Sequence, residues 1–139
     1  MDAGASLTAG IVVLTIVTIE TGGVLMLRIV RGQKRANVLQ STFFRAGHAH
    51  AGVLVILGLV MLLLSQAAGV GEPWAGVGPT GVLVSAILMP AGFFLSVLGT
   101  DPQRPGRAIA LVWLGAGVLA VGLIATGMGL ISAAVSAAA

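Results

Sequence analysis

Arg28-Ile29-Val30-Arg31-Gly32-Gln33-Lys34-Arg35-Ala36-Asn37 is the stretch whose reading decides the fold. Continued to Arg45, it holds five of the chain's seven Lys and Arg residues; the other two are Arg104 and Arg107. Outward from these two basic segments run long apolar stretches without Lys or Arg in their interiors. A hydrocarbon core of about 30 Å needs roughly 20 apolar residues in helical form. Four stretches reach that length: about 6–30, 46–67, 79–99 and 108–135. The expectation is an all-α, four-helix transmembrane bundle, with residues 1–139 as one transmembrane domain.

Composition supports that class. The chain is 58% hydrophobic and 8% charged, with a mean hydropathy of +1.11, far from a soluble globular domain. A pI near 11.3 would suggest nucleic acid in a soluble protein. Here no aromatic interleaving or basic helical face accompanies it, so no nucleic-acid partner is expected. The absence of cysteine excludes disulfides, thiolate metal sites and cysteine nucleophiles together. The first apolar run is too long for a signal-peptide core and has no basic segment before it, so it reads as a retained helix.

The basic residues orient the helices. The first connection holds Arg31, Lys34, Arg35 and Arg45, the third holds Arg104 and Arg107, and the second, about 68–78, carries Glu72 and no cation. Cytoplasmic connections carry the excess of Lys and Arg, so both termini are expected outside (N-out/C-out), in the inner (plasma) membrane of a bacterium. Trp74 then falls at the outer interface, where an indole is suitably amphipathic. Residues 36–45 read as an early start to the second helix, capped by Ser41 or Thr42, with Phe43 and Phe44 at headgroup depth.

Small residues mark the packing. Ala108, Gly115, Gly122, Gly129 and Ser136 recur at heptad spacing in the fourth run, and Ala120, Gly127 and Ala134 form a second row. Apolar side chains gain little from one another in lipid, so helices associate where small residues let backbones approach. The Gly115, Gly122 and Gly129 face is thus expected to seat a neighbour, in the same chain or in a second copy. Gly22-Gly23 and Pro90 read as bends.

Polar residues inside the spans are the candidates for function. Glu20 is the one acid deep in an apolar run, roughly 12 Å along the helix axis from Arg28. An unpaired carboxylate there costs several kcal/mol, so it must be paired, hydrated or protonated. His48 and His50 stand two apart, which on a helix separates them by about 200° and points them at different partners. A helical zinc pair prefers i, i+4, so the pair is a weak signal for a transition metal or haem. By depth, Glu20, His50, Ser96 and Trp113 share one leaflet. This allows a cluster in which Glu20 accepts from His50 and Ser96 or the Trp113 indole completes it. The alternative is two independent interfacial histidines, and Arg45 reads as a snorkelling anchor.

Phe44-Arg45-Ala46-Gly47-His48-Ala49-His50-Ala51-Gly52-Val53-Leu54, with Met89-Pro90-Ala91-Gly92-Phe93-Phe94-Leu95, resembles small four-helix integral membrane proteins of high-GC actinobacteria. That resemblance covers most of the chain and implies a fold without a chemistry. Glu20 in the first helix is similar to the essential glutamate of small multidrug resistance transporters, although the connections here are longer and the Gly22-Gly23 step departs from their pattern. Arg45-Ala46 resembles the start of the second helix in membrane enzymes of eicosanoid and glutathione metabolism, whose following Asn and Glu are absent here. A histidine soon after Arg45 is also similar to haem-ligating helices of terminal oxidases, but no other helix supplies an opposed histidine.

The sequence therefore points first to a non-enzymatic membrane protein, an accessory or assembly subunit that forms a homo-oligomer or joins a larger complex in the lipid bilayer. Proton-coupled transport of small solutes or cations through Glu20 is the second reading. A metal- or haem-binding redox component using His48 and His50 is the third. No nucleophile–base pair, phosphate loop or carboxylate dyad points to an enzyme.

Overall fold

A computed structural model describes residues 1–138 as four helices: α1 (Ala3–Val30), α2 (Val38–Ala67), α3 (Trp74–Leu95) and α4 (Ala110–Ala138), the last entered through a 3-10 turn, Arg107–Ile109. All four are long and apolar enough to cross a membrane, as a multi-pass membrane protein requires.

Local capping explains where the helices begin. Asp2 Oδ1 accepts the Ala5 N–H at 2.7 Å, which starts α1 three residues before the apolar run itself suggests. For α2 the cap is Asn37, not Ser41 or Thr42. Its side chain accepts the Gln40 N–H at 2.8 Å, and Gln40 Oε1 accepts the Asn37 N–H at 3.1 Å. This reciprocal pair satisfies two amides of the first turn and makes residues 38–45 an integral part of α2. At the end of α3 the chain turns through Gly99 (φ 115°) and Asp101 (φ 53°), conformations that β-carbons disfavour. Gly22-Gly23 and Pro90 lie within continuous helices, so the expected bends do not interrupt α1 or α3.

The bundle is uneven. α3 packs along both α2 and α4, while α1 rests on α2 alone. A three-helix body therefore forms from α2, α3 and α4, and α1 flanks it with Ala5 as its one buried residue.

The α3–α4 seam shows what the small residues are for. A β-carbon on Gly122 would lie 2.9 Å from both Gly78 O and Val82 N, and one on Gly115 would lie 3.0 Å from Met89 N. One on Gly129 would lie 2.8 Å from Trp74 Cβ. The neighbour of this face is α3 of the same chain, which answers with Gly78, Gly81 and Gly92. Buried hydroxyls nearby turn back on their own helices: Ser85 donates to Val82 O at 2.7 Å and Thr126 to Gly122 O at 3.0 Å. The second row behaves differently, with Ala120 and Ala134 exposed and open space around Gly127.

Polar latches close the two ends. At the basic end, Gln40 Nε2 donates to Val97 O (3.1 Å) and Gly99 O (3.0 Å), and Asn37 Nδ2 to Asp101 Oδ1 and Pro102 O (both 2.8 Å). At the other end, Gln66 Oε1 accepts the Asp2 N–H and Gln66 Nε2 donates to Asp2 Oδ2, each at 3.1 Å. These bonds hold the Asp2 carboxyl below the usual carboxylate range, the Ala5 amide contributing most and Gln66 next.

Candidate functional site

The α1–α2 seam is built from unlike parts. α2 runs antiparallel to α1, so residues equidistant from Arg35 face each other, and Gly22 and His48 are such a pair. A β-carbon on Gly22 would lie 3.0 Å from His48 Nδ1, and one on Gly23 would lie 3.6 Å from Nε2. The Gly22-Gly23 step is therefore a flat slot on α1 in which the His48 imidazole lies.

His50 faces the other way, as the 200° separation requires. Its ring sits 5.1 Å from the Phe93 ring of α3, and Nδ1 lies 2.7 Å from Ala46 O. A carbonyl only accepts, so Nδ1 is the donor in this contact. This is the one histidine-ring hydrogen bond among the described residues; His48 contributes none.

The expected cluster around Glu20 does not form. Glu20 is exposed on α1, and its carboxylate has no hydrogen-bond or ion-pair partner among the described residues. Ser96 is buried and donates to Phe93 O at 3.2 Å within its own helix. Trp113 is 75% exposed on α4, a helix that makes no packing contact with α1. Depth along the bundle was the basis for grouping these residues, and depth leaves the direction around each helix undetermined.

On α1, Glu20 stands about one turn from the Gly23 position against which His48 lies, and no hydrogen bond among the described residues joins it to either histidine. Glu20 and Gly23 are i, i+3 neighbours, with Cβ positions about 5–6 Å apart. A β-carbon at that Gly23 position would lie 3.6 Å from His48 Nε2. The sequence signal for this was present in the antiparallel register about Arg35, in which the Gly-Gly step falls opposite His48.

As ligands for a metal or haem, His48 and His50 diverge toward α1 and α3. No group of three or more His, Asp or Glu side chains is placed to hold a metal ion among the described residues. The two histidines therefore form no opposed pair within one chain. Phe43 and Phe44 pair with α3: Phe43 meets Phe93 edge-on and Phe44 stacks on Phe94, both at 5.7 Å.

One turn toward the basic end from the His48 slot, the α1–α2 seam opens into a cavity of about 1000 Å³ that reaches the first connection and the turn after α3. No family model, curated protein or solved structure matches the chain.

Proposed function

We propose that the chain is an accessory or assembly subunit of a bacterial inner membrane, with both termini outside, and that it docks a partner helix on the outer face of α1. The observation that carries this reading is the exposed Glu20. It lies roughly 12 Å from Arg28 along an apolar helix, on a helix supported by α2 alone. A carboxylate facing lipid at that depth costs several kcal/mol, and a donor on a neighbouring transmembrane helix removes that cost. Val13, Val17 and Val24, all at least half exposed, flank Glu20 and complete an apolar face for the partner.

Photo-crosslinking in native membranes tests this. A crosslinker at Val17 or Val24 should trap one defined product, either a dimer of this chain or a complex of fixed larger mass, and Glu20→Leu should weaken it at least tenfold. A crosslinker at Ile124 on the outer face of α4 should trap none. Equal trapping from both faces, or a product indifferent to Glu20→Leu, refutes the reading.

Proton-coupled transport of small solutes or cations is the second reading, supported by an exposed carboxylate, Glu20, about one turn along α1 from the Gly22-Gly23 seat of His48. Under it, Glu20→Gln abolishes proton-driven uptake into vesicles while the protein stays folded; unchanged uptake removes it.

A further inference from the structure

The cavity at the basic end has two dissimilar halves. Its mouth carries Lys34 and Arg35, exposed side chains on the first connection, together with Asn37. Its interior is apolar: Leu25 and Ile29 from α1, Phe44 from α2, Phe94 and Leu98 from α3 and its end. The stacked pair Phe44 and Phe94 forms part of its wall. One acid, Asp101, also lines the cavity, and its Oδ1 is already engaged by Asn37 Nδ2 at 2.8 Å. The mouth thus offers two cations against one hydrogen-bonded carboxylate.

The position matters as much as the chemistry. In a bilayer crossed by these four helices, Arg28 and Arg31 at the end of α1 would put this mouth at headgroup depth and the apolar interior at acyl depth. A free phosphate would use the cations and leave the apolar half wet; an uncharged lipid would use the apolar half and leave the cations unmatched.

We propose that this cavity binds one anionic phospholipid, its phosphate on Lys34 and Arg35 and one acyl chain between α1 and the Phe44–Phe94 wall. Basic pockets between transmembrane helices select anionic headgroups in this way, each Lys or Arg near the surface contributing about 1 kcal/mol. The bound lipid would fill the seam where α1 and the three-helix body are least packed and so hold α1 in place.

The test is native mass spectrometry of the whole chain released from nanodiscs of phosphatidylglycerol, phosphatidylcholine or an equal mixture. One phosphatidylglycerol should be retained from the mixture in preference to phosphatidylcholine. Lys34→Gln with Arg35→Gln should lower that retention roughly thirtyfold, the factor two such cations imply. Arg104→Gln with Arg107→Gln removes the same charge from the same end without touching the cavity and should leave retention unchanged. Ile29→Trp fills the acyl half and should lower retention with both cations intact. Equal retention of the two lipids, or equal loss in the two charge pairs, overturns the proposal. So does displacement of the lipid by inorganic phosphate at the same concentration, which would make the cavity a phosphate site without an acyl half. Circular dichroism of each variant separates lost binding from lost fold.

Discussion

The α3–α4 seam and the α1–α2 seam are both lined with glycine, and glycine does different work in each. On α4, β-carbons on Gly115 and Gly122 would meet backbone atoms of α3, the one on Gly122 at 2.9 Å from a carbonyl and an amide. Neither can move without shifting a helix. On α1, β-carbons on Gly22 and Gly23 would lie 3.0 and 3.6 Å from the imidazole of His48, a side chain with rotatable bonds. One seam is closed by main chain on main chain, and the other holds a titratable ring against an otherwise unburied helix. A tight seam sets the architecture. A loose one keeps a polar group, an open cavity and an unpartnered carboxylate within one turn of one another.

The most direct way to break this comparison is the same substitution on both sides. Gly122→Ala should destabilise the protein by about 2–3 kcal/mol, the cost of overpacking a site that cannot relax, as read by denaturant unfolding in detergent. Gly22→Ala should stay within about 1 kcal/mol of wild type, since better helix propensity offsets displacement of the ring, while the His48 imidazole signals shift in NMR spectra. Similar losses for the two variants would end the distinction.

A latch of the three-helix body comes next in size. Asn37→Ala removes the cap of α2 and both bonds to the turn after α3. It should cost about 1–2 kcal/mol and speed proteolysis at residues 99–106, while leaving the Asp2 end of α1 unaffected. Cleavage rates that do not change would show that α2 and the turn are held by packing alone.

The smallest effect belongs to the far end of the loose seam. The Asp2 carboxyl is held low in the folded state, so its contribution is present above the ordinary aspartate range and is lost as pH falls through the folded value. The Ala5 amide resonance should report a midpoint below that of aspartate in a peptide, and Gln66→Ala should raise it. A midpoint unmoved by Gln66→Ala would assign the shift to the helix cap alone.

Much of this was legible in order along the chain and little of it in direction around each helix. The four spans, the basic connections and the Gly115, Gly122 and Gly129 face follow from runs and heptad spacing. The early start of α2 is legible in residues 36–45, but its cap is Asn37 rather than Ser41 or Thr42, because Asn37 and Gln40 bond each other's backbone. Reciprocal capping and the bonds to Val97, Gly99 and Asp101 make that start helical. The Glu20–His50 pairing failed for a different reason. A rise per residue sets depth, but which side chains meet depends on how the helices turn toward one another.

By itself, the sequence determined the four apolar helices, their boundaries to within a few turns and the concentration of cations at one end, because length and hydropathy in a bilayer are local properties of the chain. Tertiary structure alone decided that α3 is central and α1 peripheral, that His48 lies on Gly22-Gly23, and that Glu20 faces outward. Those outcomes depend on the rotation of each helix about its axis, which is set by where backbones can approach most closely. That approach is a property of helix pairs, and no single span contains it.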